Sequence, residues 1–398
     1  MFKFDKAQFA FIIFVFVQLA AQAQVQLSPK AKISIFTIAP GRADDPLFTQ
    51  FGHSAFRVAD PINRIDWIYD YGVFDFNAPN FYVKFARGKL KYMVAKRNYD
   101  RFEAAYRYYD RTLTEQILNL DSIQKQQVFD YLETNNLPEN KYYLYDFFYD
   151  NCATRLPGVI KDALGTSVQF DTSATEEQES FRDLIEPWLT RHRWGDLGID
   201  LALGLPTDKI ASRYQYMFLP HFVKKEFDKA TITKNGNTKP LVSETIIPYE
   251  ATPDNGKGPL IGPGIIFSLF LFFVIAITYW DFKRKSRLRL LDFILFLAAG
   301  LVGLLIIFLW FFTDHSATAN NLNIIWALPT HLIVTFFIFS SKKKTWVVNY
   351  FLFTSIVVLI LLLSWYFLPQ PLHYSMFPFA LALCIRAFYY WFFYNKIT

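Results

Sequence analysis

The sequence predicts two parts of different class: an α+β domain carried across a membrane, then an all-α bundle of about five transmembrane helices. Three observations carry this. The 398 residues are 53% apolar and 19% aromatic, too greasy for a wholly water-soluble chain and too long for one ordinary domain. Beyond position 260 the apolar residues fall into runs long enough to cross hydrocarbon, whereas before position 229 they alternate or recur at strand and helix periods. The charges divide at the same place. Residues 24–260 hold 29 Lys and Arg against 31 Asp and Glu, and residues 261–398 hold 10 against 3. The basic excess therefore belongs to the membrane part and is no footprint for nucleic acid.

The first 23 residues combine Lys3 and Lys6, an apolar run over 9–20 and the small triplet Ala21-Gln22-Ala23, the pattern of a cleaved export signal. A buried strand is expected over 33–38, ended by the Gly, Asp and Pro of 40–46. The motif FGHSAFRV starts a second strand after its glycine turn, and a third fits 65–71 after Asp60-Pro61. His53 then stands on one strand, with Asp66, Asp70 and Tyr71 on the next. A strand is expected over 88–95 and a helix over 99–109, within a stretch that mixes aromatics with Lys84, Arg87, Lys89, Lys91, Lys96 and Arg97. A solvated surface is the plainer reading of that stretch. The functional one is contact with anionic lipid headgroups, at about 1 kcal/mol per basic residue near the bilayer.

Alternation returns over 112–118, and Asp121 caps a helix that runs to about Glu133 ahead of Pro138. Residues 145–164, YDFFYDNCATRLPGVIKDAL, carry the next helix, with Cys152 at its start. A loop is expected over 165–179, a short helix broken by Pro187 over 181–192, and an apolar, glycine-containing stretch over 194–205. Residues 229–260, rich in Thr, Asn, Gly, Pro and Lys, read as a linker. The expected division is thus export signal 1–23, exported domain 24–228, linker 229–260 and membrane domain 261–398.

Five apolar segments follow, over 261–280, 290–312, 324–340, 346–368 and 377–393. The basic clusters KRKSRLR and Lys342-Lys343-Lys344 come after the first and third, and Lys396 after the fifth. Five crossings begun outside put all three in the cytoplasm, so charge bias and export signal agree. The loops 313–323 and 369–375 then share the exported face and bring His315, Asn323 and His373 to it, most simply as solvated residues. His331 and Arg386 fall within spans, where ionisable groups are unusual.

Cys152 is the residue around which this organisation makes sense. Asp150 and Asn151 are capping types, and the residues that follow suit one amphipathic helix ending at Gly165. A thiol in a first turn lies near unpaired N–H groups and the positive end of the helix dipole, which favour the thiolate. A buried structural cysteine is the bland alternative. Against it, the second cysteine, Cys384, lies within the last apolar segment, which leaves an unpaired thiol in an oxidising compartment.

His53 precedes Cys152 by 99 residues, the reverse of the order in ordinary papain-type enzymes. A glycine-preceded histidine on a strand, a polar residue on the next strand and Asn-Cys at a helix start resemble the circularly permuted papain-like superfamily, which includes lecithin:retinol acyltransferase-like enzymes. The series GHSAFRV, IYDYGVFDF, NFYVKFARGKLKYMV, TEQILNL, YDFFYDNCATR and LALGLPTDKI, followed by a multi-span tail with TANNLNIIWALP, resembles the Lnb family of lipoprotein N-acyltransferases. It departs in LPGV after NCATR, where a charged pair is expected.

That resemblance implies transfer of a fatty acyl chain from a phospholipid to the free amine of a diacylglyceryl-cysteine lipoprotein, with no cofactor. Cys152 would carry the thioester and His53 would act as its base and proton relay. Asp70 is the first choice to orient His53, with Asp66 and Tyr71 as competitors. Asn151 and Arg155 are expected to support the loop, or Arg155 a phosphate, and His315 and Asn323 to shape a substrate entrance. Drawing a chain of about 16 carbons into water costs on the order of 12 kcal/mol, so an enzyme held at the bilayer avoids a large term. Two other classes stay open: a membrane-anchored cysteine hydrolase acting on peptidoglycan peptides or lipid esters, and a non-enzymatic scaffold or sensor. The sequence has no glycine-rich phosphate loop and no metal-ligand spacing.

Overall fold

The alternating residues of the first part become one seven-stranded antiparallel sheet. The structure, a computed structural model, describes residues 25–171, 178–234, 236–254, 256, 258–340 and 344–397. The export signal expected over 1–23, and Lys342 and Lys343, lie outside them. In chain order the strands are β1 (Lys32–Ile38), β2 (His53–Asp60), β3 (Ile65–Val73), β4 (Lys91–Asn98), β5 (Leu113–Leu118), β6 (Tyr142–Leu144), β7 (Val168–Gln169), β8 (Thr231–Lys234), β9 (Asn237–Pro240) and β10 (Val242–Tyr249). The large sheet runs β10-β5-β1-β2-β3-β4-β6, and β7, β8 and β9 form a small one.

Helices cover both faces of the large sheet. They are α1 (Phe81–Ala86), α2 (Tyr99–Tyr108), α3 (Ser122–Asn135), α4 (Cys152–Leu164), α5 (Phe181–Leu189), α6 (Arg193–Ala202) and α7 (Pro220–Lys229). Ile33, Ile35, Phe56, Val58 and Tyr69 pack on Phe129 of α3, Leu156 and Ile160 of α4 and Phe227 of α7. From the opposite face Phe36, Ala55 and Ile68 pack on Tyr99 and Phe102 of α2. Both faces of β1 are buried, so Ser34 and Thr37 stand in the interior beside its four apolar residues. Asp121 caps α3 with a full capping box, its side chain accepting from Gln124 N–H while Gln124 returns a bond to Asp121 N–H.

Two expectations for this part are corrected. The stretch 229–260 is not a free linker, because β8 and β9 lie in it and β10 extends the large sheet beside β5. Both faces of β10 are largely exposed, so VSETIIPY carries no apolar alternation; backbone pairing holds it. Its end is tied down by Tyr249 Oη and Thr252 N–H, which donate to Asp110 Oδ1. Pro187 does not break α5 either. The helix runs through it to Leu189, since a proline so near a C-terminus removes one helical bond only.

The membrane part contains α8 (Pro263–Lys283), α9 (Arg289–Phe311), α10 (His331–Thr335), α11 (Thr345–Leu363) and α12 (Met376–Phe392). Among the described residues, four helices are long and apolar enough to cross a membrane, rather than the five expected. The third apolar segment, 324–340, is a chain of turns around the five-residue α10. Pro329 interrupts helical bonding in its middle. The segment still reaches from one end of the bundle to the other: Asn323 Nδ2 donates to Asp200 O of the exported domain, and Ile338 O accepts from Arg287 at the far end. Trp326 and Ala327 are fully buried, which is where irregular backbone is tolerated at membrane depth. The segment fits because α9 is bare on the facing side. A Cβ on Gly303 would stand 1.9 Å from Ala327 O, and one on Gly300 2.8 Å from Leu332 N.

Four buried charges of this part form one network. Arg386 Nε donates to Asp292 Oδ1 (2.7 Å) and Arg386 Nη1 to Asp281 Oδ2 (3.0 Å), while Arg287 Nη1 donates to Asp292 Oδ2 (2.9 Å). This fully buried set joins α8, α9 and α12 at the basic end. His331 Nδ1 lies 2.7 Å from Tyr350 Oη.

Candidate functional site

Cys152 is the first residue of α4. Asn151, on extended backbone, accepts from Ala153 N–H (2.8 Å) and Thr154 N–H (2.9 Å), and Thr154 Oγ1 accepts from Asn151 N–H (2.8 Å). The Asn151 amide also donates to Phe147 O (2.7 Å) and Phe218 O (2.8 Å), so one buried side chain aligns the loop, the helix start and the segment after α6. Asp150 does not cap; it takes the Arg155 guanidinium at 2.5 Å through two nitrogens. That guanidinium rests over the Tyr143 ring at 4.1 Å, so its contacts in this structure are with the loop itself. Replacing Asn151 by Ala is expected to remove a cap, about 1–2 kcal/mol, and to strand buried carbonyls at about 1–3 kcal/mol. The check is a lower apparent Tm together with slower alkylation of Cys152, and an unchanged Tm would refute it.

The β2–β3 register, with Phe56 opposite Tyr69, brings the start of β2 to the end of β3. There His53 Nε2 meets Asp70 Oδ1 at 2.6 Å. Asp70 is nearly buried, with Arg97 Nε 3.4 Å from its other oxygen. Nδ1 of His53 is left as the ring nitrogen able to take a proton from the thiol. The imidazole, four-fifths buried, stacks against Tyr106 of α2. Burial opposes its charge, but Tyr106, the Cys152 sulfur and Asp70 favour it, and the balance holds its pKa well above the ordinary 6.5. Cys152 is therefore in electrostatic contact with His53, and no hydrogen bond joins the two side chains among the described residues.

Gly72 makes room for this approach. Its φ of +85° is in the glycine-favouring region, and a Cβ there would lie 3.4 Å from Cys152 Cβ and 3.9 Å from Cys152 N. With the Ala153 and Thr154 amides taken by Asn151, the Cys152 N–H is the helix-start donor that faces this space. Tyr145 Cε2 borders the same space, 3.8 Å from that Cβ position, and burial with the nearby Cys152 holds the Tyr145 hydroxyl well above its usual pKa.

Comparison with known families accounts for both parts of the chain. Residues 20–187 match the model described as the Lnb N-terminal periplasmic domain, and residues 255–397 match that of the Lnb transmembrane domain. The chain belongs to the Lnb family. It is a multi-pass membrane protein with a periplasmic domain. No curated protein and no solved structure matches it.

The remaining residues singled out from the sequence lie elsewhere in this Lnb chain. Asp66 is held by Arg57 Nε and Nη2 (2.7 and 2.8 Å), and Tyr71 is buried in the α3–α4 core with its hydroxyl 3.3 Å from Asn135 Oδ1. Neither meets His53. His315 lies 3.2 Å from Phe85 O, and Asn323 bonds Asp200 O and Trp326 Nε1. The two external loops thus grip the periplasmic domain at α1 and α6, and Ser316 Oγ also donates to Asp146 Oδ2 (3.0 Å) in the segment that leads to Cys152. His373 joins the α6 grip through Asp196 (3.2 Å). Donor atoms of Asp196, Asp200 and His373 lie within 4.8 Å of one another, the grouping among the described residues that could hold a cation. Two of its members are engaged elsewhere, since Ser375 Oγ bonds His373 Nδ1 and Arg182 bonds Asp200. Tyr106, Gly72 and Tyr145 border the site without having been singled out, and Arg97 was named only as one of a run of basic residues. Only the glycine of IYDYGVFDF gave a local signal.

Proposed function

We propose that this chain is a lipoprotein N-acyltransferase that moves a fatty acyl chain from a phospholipid to the amino group of a diacylglyceryl-cysteine lipoprotein. The observation that carries the reading is one imidazole bonded to a buried carboxylate through Nε2 while feeling the charge of a helix-start cysteine, in a domain hydrogen-bonded to the loops between its own membrane helices. In the first half-reaction His53 Nδ1 takes the thiol proton and Sγ attacks the ester carbonyl. The C–S bond forms, the ester C–O bond breaks, and the imidazolium returns the proton to the leaving lipid alcohol. In the second half-reaction the lipoprotein amine attacks the thioester, His53 takes its proton, and Cys152 leaves. The Cys152 N–H, at the positive end of α4, is the donor for the oxyanion. Asp70 keeps the imidazole turned and favours its charged form.

A hydrolase would use water in the second half-reaction. The membrane attachment favours an acceptor that is itself lipid-bound, because both substrates then share one surface and one local concentration. The test is mass spectrometry of a lipoprotein's amino-terminal peptide from cells with the wild-type chain or Cys152→Ser. The third acyl chain is expected only with the wild type, and equal acylation in both would end the proposal.

A further inference from the structure

An acyl ester in a bilayer has to meet a sulfur inside a folded domain, and one surface outside the dyad bears on how. Residues 76–99 contain no acidic side chain, and Lys84, Arg87, Lys89 and Lys91 fall among them. In the same stretch Phe76, Tyr82, Val83 and Phe85 are exposed, a concentration of apolar surface that soluble faces rarely carry. The attachment of α1 decides what covers it. Asp314 N–H donates to Arg87 O at 2.9 Å, and His315 is bonded to Phe85 O. These two residues stand three and four positions beyond Phe311, the last residue of α9, where Phe311 and Phe312 are themselves exposed. The short helix is thus fastened at the level where α9 leaves hydrocarbon, and its bare side chains continue the lipid-facing surface.

From α1 a row of rings leads inward. Phe85 stacks on Phe81 (6.3 Å between centroids), Phe81 meets Phe74 (5.8 Å), Phe74 meets Tyr92 edge-on (5.1 Å) and Tyr92 stacks on Tyr145 (4.3 Å). Tyr145 and Cys152 flank the space in front of Gly72. The inner four rings are only half-buried, so each keeps a face that a ligand can reach.

We infer that α1 lies among the headgroups of the outer leaflet, Lys84 and the adjoining Arg87 against phospholipid phosphates, and that this row of rings guides one acyl chain of a bilayer phospholipid to Cys152. The inference rests on the acyltransferase reading. The full chain is reconstituted in vesicles of phosphatidylethanolamine and phosphatidylglycerol, as wild type and as a Tyr82→Ser/Val83→Ser/Phe85→Ser variant. Acyl-thioester on Cys152 is followed by intact mass, and in parallel the enzyme is given the water-soluble ester p-nitrophenyl butyrate. The variant is expected to load from the bilayer at least tenfold more slowly and to react with the soluble ester within about twofold of wild type. Equal loading from the bilayer overturns the inference, and so does an equal loss on both esters, since an entrance acts on the bilayer substrate alone. A wild type that forms no thioester removes the functional reading and this inference with it. Independently of the chemistry, an environment-sensitive fluorophore on Tyr82→Cys, in a Cys152→Ser/Cys384→Ser chain, is expected to shift to the blue in vesicles and to be quenched by headgroup-labelled lipid. An unshifted, unquenched probe overturns the placement of α1.

Discussion

Replacing His53 by Ala is expected to slow acyl transfer by two to four orders of magnitude, the usual contribution of a positioned acid–base group. In the proposed reaction the same ring collects a proton from the thiol, delivers it to the lipid alcohol and collects another from the amine, and among the described residues no second imidazole touches Asp70. The pH profile separates this role from a packing role. His53 is held above 6.5 in the folded chain, so the imidazolium that protonates the leaving alcohol is favoured and is lost as pH rises past that raised value. Asp70→Asn removes a carboxylate that favours the charged ring, bonded at 2.6 Å, and is expected to move the alkaline limb of thioester formation to lower pH. Stability follows the same sign. The protonated ring contributes fully below about 6.5 and its contribution fades as pH climbs through the folded value, so the wild type should lose more apparent Tm on the alkaline side than Asp70→Asn. An alkaline limb that stays in place in Asp70→Asn would exclude this carboxylate as the partner that matters.

What could be read from the sequence tracks where the physics is local. Asn151 before Cys152 and Asp121 before Ser122 announce helix starts through bonds made within three residues, and both caps are present. Cys152 and His53 stand out because a cysteine at a helix start and a histidine after a glycine turn are uncommon local combinations. The choice among Asp66, Asp70 and Tyr71 was not local. It depends on the antiparallel register and on which face of β3 each occupies, and Arg57 engages Asp66 from the neighbouring strand. Tyr106 reaches His53 only through the packing of α2 on the sheet, which no spacing encodes. The errors share a cause. VSETIIPY is an edge strand without an apolar face, and 324–340 has the composition of a span without its hydrogen bonding, so averages over either stretch misjudge it. In the second case Pro329 and the glycines of α9, 26 residues or more upstream, had to be read together.

Gly303→Ala is expected to damage the membrane domain far more than one methyl group ordinarily does. The added carbon would lie 1.9 Å from the Ala327 carbonyl oxygen and 2.9 Å from Pro329 N, so it meets backbone that no rotamer change can move. Overpacking typically costs about 1–3 kcal/mol and more when the obstacle cannot yield, and here the obstacle is the irregular segment itself. Displacing it would also pull on Asn323, whose amide holds Asp200 O, and on neighbouring Asn321, which holds Leu201 O, loosening the grip of the membrane domain on α6. The expected result is a lower apparent Tm in detergent and slower loading of Cys152 from vesicles, although the substitution is remote from the sulfur. Gly158→Ala is the matched control. It lies inside α4, a Cβ there meets nothing within 4 Å, and helix propensity makes the change neutral or stabilising by about 0.5–1 kcal/mol. If Gly303→Ala behaves like Gly158→Ala in both assays, the third apolar segment does not run against α9, and a fifth continuous helix becomes the better description of the bundle.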